Sequence, residues 1–405
     1  MTSKLIFYYS RENRWSVNAL AGALAAAALP GLKLSFPGTA EEFRREVSAA
    51  GPRDAAAVSF FTCQRKAAAG LAASLARPGG PLLVAGGPHA SALPEDALAM
   101  GFGLAVAGEG EAAVLDLAKE LLAGRRPEGI VRAAPAGSLD DYPSFPAKLG
   151  LYGPIEISRG CPYACTYCQT SYLHGGRPRH RSVRSVLEHM RAILDYGLKD
   201  VRFTTPDAFG YGSPDGRRLN LPALTELLES AGALAEKKGG RIFFGSFPSE
   251  VRPEHITPET LALAAAHVSN RRLIIGAQTG SPRLLKAIRR GHTVADVLRA
   301  CDLCRARGFF PYVDFIFGLP GETRADEKAT EELIMELSAR GAMIHTHAFM
   351  PLPGTPLYGE KAPGLSRTAV AFLEKMESRG KAFGKWRAQR KIAAEPRGPK
   401  GPGRA

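Results

Sequence analysis

The chain has 405 residues, 45% of them hydrophobic, six cysteines and a formal net charge of +14. This length suggests two domains with ample material for a core, and six cysteines are too few for a disulfide framework. The absence of an apolar run of about 18 residues excludes a membrane-spanning helix, and the N-terminal segment lacks the order of a signal peptide, so a cytoplasmic protein without a membrane partner is expected.

The positive charge raises the question of a nucleic-acid partner or an anionic substrate. Lysine and arginine are spread along the chain, however, and only the last stretch, "KWRAQRKIAAEPRGPKGPGRA", is dense in them. We interpret the excess as general arginine usage plus a solvated tail, and nucleic acid is not an expected partner.

Residues 1–130 alternate strand-like and helix-like segments. The candidate strands are "KLIFYY", "LKLSF", "AAAVSFF", "PLLVAGG" and "LAVAGEG". Five such units predict an α/β domain with a parallel, doubly wound sheet of the Rossmann or flavodoxin-like kind, in which ligands bind beyond the carboxyl ends of the strands.

Residues 131–152 contain several prolines and no sustained period, which predicts a linker. From 153 to 360 the alternation resumes with "PIEIS", "DVRFTT", "RIFFGSF", "RRLIIGAQTG", "PYVDFIFGLPG" and "MIHTHAFMPLPG". Six βα units predict a partial βα barrel of the TIM type, with its active site at the carboxyl ends of the strands. A helical extension is predicted for 361–392 and a disordered basic tail for 393–405.

Three cysteines, Cys161, Cys165 and Cys168, lie within eight residues after the first of these strands. Soft thiolate ligands at this spacing indicate an iron-sulfur cluster or zinc. A structural zinc would need a fourth ligand, and the next candidate is His174. Three ligands on a four-iron cluster leave one iron open to a substrate. The spacing favours the cluster, with zinc as the alternative.

The segment "ISRGCPYACTYCQTS" resembles the signature loop of the radical S-adenosylmethionine (SAM) superfamily. The resemblance implies that Cys161, Cys165 and Cys168 hold a [4Fe-4S] cluster whose open iron binds SAM. It also implies one-electron cleavage of SAM to methionine and a 5′-deoxyadenosyl radical. Tyr167 would then pack near the adenine; the alternative is a loop aromatic that fills space.

Later segments resemble the same superfamily in order. "GAQTGSPRLLKAIRRGHT" is similar to the fourth-strand segment and would bring Gln278 and Ser281 to SAM, although many members carry a glutamate where Gln278 stands. "VDFIFGLPGET" and "HAFMPLPGTPL" are similar to the fifth- and sixth-strand segments. After the second strand, "TTPDAF" replaces the usual Gly-Gly-Glu-type loop, so Thr204, Thr205 and Asp207 become the candidates for the SAM amino group.

In the first domain, the Gly86-Gly87 pair ends a predicted strand, where missing side chains allow a bulky ligand to approach. The run from Gly108 and Glu109 nominally fits the dinucleotide fingerprint G-x-G-x-x-A, but it follows the fifth strand and its glutamates would repel a pyrophosphate. "GGPHAS…PE" and "GEGE" instead resemble the cobalamin-binding domains that precede many radical SAM domains.

The first-strand loop, "YSRENRWSVN", lacks the D-x-H-x-x-G that supplies a histidine to cobalt in other cobalamin proteins. The resemblance therefore implies cobalamin without a lower-ligand histidine from that loop. Ser59 and Thr62 lie where such domains place hydroxyls near the corrin tail. The alternatives are that they cap the next helix, and that the domain has lost its ligand.

Together these segments resemble class B cobalamin-dependent radical SAM proteins, within them a subfamily found in methanogens and scattered bacteria. The resemblance implies an enzyme that methylates an unactivated carbon of a small-molecule or peptide substrate, with an electron donor such as flavodoxin or ferredoxin. Rearrangement or cyclisation without methyl transfer, modification of RNA, and a non-catalytic cobalamin or SAM sensor are the alternatives.

Two further histidines, His345 and His347, alternate along the predicted sixth strand, so both could face the barrel interior. There they would bind substrate, shuttle a proton or form core hydrogen bonds. Cys301 and Cys304 recur at helical spacing in "TVADVLRACDLCRARG" and are expected to be buried helix residues rather than ligands. Arg289, Arg290 and His292 would bind the carboxylate or ribose of SAM or end a helix.

Overall fold

The structure is a computed structural model and describes residues 2–361 and 363–394. The chain divides into two compact units, one ending at Gly153 and the other beginning at Pro154. None of the helices in the described residues combines the length and the apolar character needed to cross a bilayer.

The first unit is a six-stranded parallel sheet with strand order β2-β1-β3-β4-β5-β6. Its elements are β1 (Ser3–Phe7), α1 (Arg14–Ala27), β2 (Leu32–Ser35), α2 (Ala40–Ala49), β3 (Ala55–Ser59), α3 (Arg65–Leu75), β4 (Leu82–Gly86), α4 (Gly87–Ala92), α5 (Pro94–Ala99), β5 (Leu104–Gly108), α6 (Gly110–Leu122) and β6 (Gly129–Ala133). This order confirms the predicted flavodoxin-like sheet.

The central strands β3, β4 and β5 are almost entirely apolar, and the sheet has a hydrophobic core on each face. Leu5 and Leu82 point into one core cluster, and their neighbours Ile6 and Leu83 point into the other. A strand that is buried on both faces reads as a continuous apolar run, as in "PLLVAGG".

A sixth strand, β6, pairs in parallel with β5 and carries the sheet beyond residue 130. The predicted boundary between domain and linker therefore falls inside a strand. The sequence signal is weak there because β6 is an edge strand with an exposed arginine, Arg132. Leu139 and Phe145, in the predicted linker, are buried.

In the described residues, the second unit contains seven parallel strands in two sheets. Their orders are β7-β10-β11 and β12-β13-β14-β15, and a parallel bridge between Val251 and Ile275 connects them. The elements are β7 (Ile155–Glu156), β8 (Ser158–Arg159), α7 (Thr170–His174), β9 (Arg179–His180), α8 (Val183–Asp195), β10 (Asp200–Thr204), α9 (Leu221–Lys237), β11 (Arg241–Phe243), α10 (Pro258–His267), β12 (Arg272–Gln278), α11 (Pro282–Ala287), α12 (Val294–Ala306), β13 (Phe310–Phe317), α13 (Arg324–Ala339), β14 (Met343–Ala348), α14 (Arg367–Ser378), β15 (Ala382–Gly384) and α15 (Trp386–Ala393).

This arrangement is the predicted partial βα barrel. β8 and β9 form a separate antiparallel pair next to the cysteine loop. Two helices of this unit begin at threonine caps. Thr293, before α12, and Thr323, before α13, each form a capping box with an aspartate three residues later. Such a cap contributes about 1 kcal/mol to the helix that it starts.

The C-terminal extension holds one more strand than predicted. β15 pairs in parallel with β14, between α14 and α15. Three residues are too few to show a strand period, so no local pattern predicts this strand. The side chain of Trp386 is buried at the start of α15. The predicted basic tail lies, from residue 395 onwards, outside the described residues.

Candidate active site

The cysteine loop follows β8 and is held by hydrogen bonds to two other segments and by one within the loop. The backbone N–H of Thr166 donates to the carbonyl of Ile288 at 3.1 Å, and the Gln169 side chain donates to the carbonyl of Pro353 at 2.8 Å. Within the loop, the Ser171 hydroxyl donates to the carbonyl of Cys161 at 2.6 Å. Hydrogen bonds of the chain itself therefore define the shape of the loop.

Burial raises the pKa of the Cys161 and Cys168 thiols, so a metal centre has to displace their protons. A [4Fe-4S] cluster bound by three thiolates spreads them over separate irons and leaves the fourth iron open.

The three cysteines line one cavity of about 290 Å³, near the lower end of the size range of small-molecule sites. Polar side chains from the barrel strands, the segments after them and α15 complete its wall: Glu250, Gln278, Arg290, Asp314, His347 and Gln389. Tyr167 lines the same cavity. A ligand here would meet the thiols and several charged groups at once.

A bulge at the end of β12 shapes one wall of the cavity. The register shifts between Gly276 and Gln278, and Gln278 has φ 73°, a left-handed conformation that strains a residue with a side chain. The buried Arg290 guanidinium donates to the carbonyl of Gly276 at 2.8 Å. Burial, opposed by Arg290, raises the pKa of Glu250 to about 7. This wall can therefore change charge near neutral pH.

A buried ionic network supports the cysteine loop. The Arg252 guanidinium lies 3.3 Å from the ring centroid of Tyr163, which is between Cys161 and Cys165, and donates to Glu254 at 2.6 Å. The backbone N–H of Arg252 donates to the Asp207 carboxylate at 3.2 Å.

His255 contacts the other oxygen of that Asp207 carboxylate through Nδ1 and donates from Nε2 to the carbonyl of Arg217 at 2.8 Å. Burial disfavours the charged imidazole, but Asp207 outweighs it and raises the pKa of His255 to about 9.

Four of the six residues predicted to bind SAM line one of two neighbouring cavities. Tyr167 and Gln278 line the cysteine cavity. Thr205 and Asp207 line a smaller neighbouring cavity together with Cys161, and both Asp207 oxygens contact Arg252 or His255.

Two of the predicted residues have other positions. Thr204 pairs with Glu156 in the sheet. The Ser281 hydroxyl caps α11 and contacts Asp326. Neither residue is among those that line the cysteine cavity in the described part of the chain.

In the first unit, Thr62 belongs to a buried polar chain. The Thr62 hydroxyl lies 3.2 Å from Nδ1 of His89, whose Nε2 lies 2.9 Å from Asp96, and Arg65 holds Asp96 through two bonds of 2.7 Å. Burial lowers the pKa of His89, so the ring is neutral and donates to Asp96. Its Nδ1 therefore accepts the Thr62 proton, which leaves the Thr62 oxygen free to accept from a ligand.

The glycines of this unit have different roles. A side chain at Gly86 would meet no atom within 4 Å, so there is open space at the end of β4. Gly87 has φ +85°, and a Cβ there would lie 2.7 Å from the buried Ser59 hydroxyl. Gly108 has φ +108°, with the carbonyl of Ala133 2.6 Å from such a Cβ.

The carboxylate of Glu109 is buried and accepts the backbone N–H of Ala136 at 2.8 Å. This buried contact gives the residue after Gly108 a role in holding the segment that follows β6.

Three cavity residues had no signal in the sequence. Glu250 and Arg252 belong to the irregular segment "PSEVRP", and Gln389 lies on α15 beyond the recognised motifs. Buried and partly exposed residues alternate along β13, and this alternation predicts the face of the strand on which Asp314 lies but not its role. Cys301 and Cys304 are buried on α12, as expected.

Residues 155–334 match the family model described as the Radical SAM superfamily. This part of the chain is therefore similar to that superfamily, and the similarity implies the predicted [4Fe-4S] cluster and SAM as its cofactors.

The sequence is 31% identical over 222 residues to the tRNA-2-methylthio-N(6)-dimethylallyladenosine synthase of Acidithiobacillus ferrooxidans, covering 54% of this chain and 48% of that protein. The chain thus spans about half the length of this curated relative.

The fold is similar to two solved structures. The radical SAM methyltransferase TsrM from Kitasatospora setae, with cobalamin and a [4Fe-4S] cluster bound, superimposes with a TM-score of 0.69 and 19% identity, covering 88% of this chain and 77% of that chain. The cobalamin-dependent radical enzyme OxsB gives a TM-score of 0.60 and 17% identity, covering 82% and 52%. These likenesses extend over both units and confirm the predicted fold class.

Proposed function

We propose that this protein is a cobalamin-dependent radical SAM enzyme that methylates an unactivated carbon of its substrate. The observation that carries the proposal is the convergence of Cys161, Cys165 and Cys168 on one cavity with charged groups in its wall. When bound, the cluster supplies an electron that cleaves SAM, and cobalamin supplies a methyl carrier.

Different residues of this chain would bind the cluster, bind SAM and support the cysteine loop. The three cysteines would hold the cluster. Arg290 and Glu250 would pair with the oppositely charged carboxylate and amino groups of SAM, and Gln278 would add an amide contact. Tyr167 would cover the apolar side of the ligand. Arg252 would support the cysteine loop through the contact of its guanidinium with the ring of Tyr163.

Cobalamin fits the strand ends of the first unit in two respects. The open space beside Gly86 and the accepting oxygen of Thr62 suit a bulky ligand that carries amide donors. His89 is the single histidine of residues 1–153, and its buried ring is already bonded to Asp96 and Thr62. In residues 2–153 the one imidazole is therefore already engaged, which is consistent with cobalamin bound without a histidine ligand to cobalt.

The first test is SAM cleavage by protein reconstituted anaerobically with iron, sulfide and hydroxocobalamin. Dithionite and SAM are added and 5′-deoxyadenosine is quantified. Cys165→Ala should lose the product. Cys63→Ala, at an exposed cysteine of the first unit, serves as the matched control and should keep it. Equal product from both variants would refute the assignment of the cluster ligands.

Methyl transfer is tested separately, because rearrangement or cyclisation would also cleave SAM. Protein is incubated with SAM labelled on its methyl group, and candidate small molecules and peptides are screened for label. Labelled product supports methylation, while an unlabelled, rearranged product supports the alternative. The same screen, run with flavodoxin or ferredoxin in place of dithionite, tests the expected electron donor.

Modification of RNA is the second candidate, because the sequence relative named above is a tRNA-modifying synthase. The matched part covers about half of that protein, so its substrate does not transfer directly. A gel-shift titration with tRNA at 50 and 200 mM salt decides the point. Affinity that falls steeply with salt would favour an RNA substrate, and no binding at 50 mM would exclude it. A sensor without SAM cleavage is excluded by any cysteine-dependent 5′-deoxyadenosine.

A further inference from the structure

Asp314, His345 and His347 form a polar cluster on the barrel strands. Asp314 pairs with His345 in the register of β13 and β14, and His347 lies two residues further on the same face. Oδ1 of Asp314 is 3.0 Å from Nδ1 of His345, which is 3.2 Å from Nε2 of His347. Asp314 and His347 line the cysteine cavity. The proposed cofactor contacts use none of these residues.

Gln389 determines which nitrogen of His347 carries the proton. The backbone N–H of Ala348 donates to Oε1 of Gln389 at 3.0 Å, so the amide N–H₂ group points at Nδ1 of His347, 3.2 Å away. Burial lowers the pKa of His347, and the ring is neutral. Because Nδ1 accepts from Gln389, the proton is on Nε2, from where it is donated to Nδ1 of His345.

His345 and Asp314 are consequently two acceptors in contact. Nδ1 of His345 receives the proton of His347, yet it also lies beside the Asp314 carboxylate. In the described part of the chain, no lysine or arginine lies within ion-pair distance of Asp314. The Phe383 ring stacks on His345 at 4.6 Å and 12°, which holds the imidazole in this orientation. With this tautomer of His347, no proton lies between Nδ1 of His345 and Oδ1 of Asp314.

The three donor atoms lie within 4.8 Å of one another, a spacing that a metal ion could also use. A metal on Nε2 of His347 would move the proton to Nδ1, where it would face the N–H₂ group of Gln389. If the side-chain amide of Gln389 were rotated by 180°, its N–H₂ group would instead face the backbone N–H of Ala348. Both arrangements set two donors against each other, so the geometry opposes a metal.

We propose that Asp314 and His345 form a subsite that binds a cationic nitrogen of the substrate, such as an ammonium group. This inference rests on the proposed function, because it takes the cysteine cavity as the substrate site. An ammonium donates one N–H to the carboxylate oxygen and a second to Nδ1 of His345, where it replaces the Nε2–H of His347 because an imidazole nitrogen has one lone pair, and its charge neutralises Asp314. Charge-assisted bonds of this kind are stronger than neutral ones.

The test uses the full chain labelled with ¹⁵N in its histidines, and butylammonium as the probe with butanol as its neutral counterpart. NMR titration should show butylammonium, but not butanol, shifting the His345 and His347 ring nitrogens. Asp314→Asn and His345→Gln should each weaken the probe about tenfold or more. Asp116→Asn, at an exposed aspartate of α6, should leave its affinity unchanged. In Gln389→Leu, His347 should lose its preference for the Nε2–H form.

Three results would overturn the proposal: no shift with butylammonium, equal affinity in Asp314→Asn and the unmodified chain, or one equivalent of Zn²⁺ bound in an Asp314-dependent manner. The last would identify a metal site. Iron content after reconstitution is measured on the same variants. Missing iron in the unmodified chain would count against the proposed function, while the probe titration would still decide the subsite.

Discussion

The ion pair between Asp207 and His255 predicts a pH-dependent stability for the second unit. The His255 side chain is 3% exposed, and both ring nitrogens have acceptors. Its pKa rises from the ordinary 6.5 to about 9 in the folded chain, which corresponds to about 3 kcal/mol of stabilisation. Because the folded value is the higher one, this contribution is fully present below pH 6.5 and is lost as the pH rises through 9.

His255→Gln should therefore lower the free energy of unfolding by about 3 kcal/mol at pH 6 and by much less at pH 10. Urea unfolding is followed by the fluorescence of the buried Trp386 in a Trp15→Phe background, so that the signal reports the second unit. His180→Gln is the control: burial lowers the pKa of His180, so its contribution to stability does not decrease as the pH rises from 6 to 10. An equal cost of His255→Gln at both pH values would refute the reasoning.

Two further predictions concern the cofactor sites. Arg252→Lys keeps the charge but loses the planar contact with Tyr163 and should at least halve the iron retained after reconstitution, whereas Arg184→Lys on the exposed face of α8 should retain it fully; equal iron in both would contradict the supporting role. Gly87→Ala should cost about 1–3 kcal/mol of unfolding free energy because of its positive φ, and Gly86→Ala should leave stability unchanged but reduce the corrin absorbance of reconstituted protein. Full corrin retention by Gly86→Ala would argue against a ligand at that strand end.

Local patterns were sufficient for the architecture. Apolar runs such as "PLLVAGG" and "LAVAGEG" mark strands because a sheet covered on both faces needs apolar residues at every position. The cysteine loop could also be found, since its three ligands lie within eight residues of sequence. Each of these features is formed by residues that lie close together in the sequence.

The supporting residues could not be found in this way because their partners are distant in sequence. Asp207 meets His255 across 48 residues, and His347 meets Gln389 across 42. Gln389 lies on α15, which follows β15, and β15 is a strand of three residues that shows no period. Thr62 was expected to cap a helix or contact a corrin, and its orientation comes from His89, which only the packed fold brings to it.

The central claim is that Cys161, Cys165 and Cys168 hold a cluster with one iron open to SAM. The most direct measurement is the electron paramagnetic resonance spectrum of the reconstituted, dithionite-reduced protein before and after SAM is added. We predict a [4Fe-4S]⁺ signal that SAM shifts and that Cys165→Ala abolishes. A signal that SAM leaves unchanged, or one that survives in Cys165→Ala, would contradict the account.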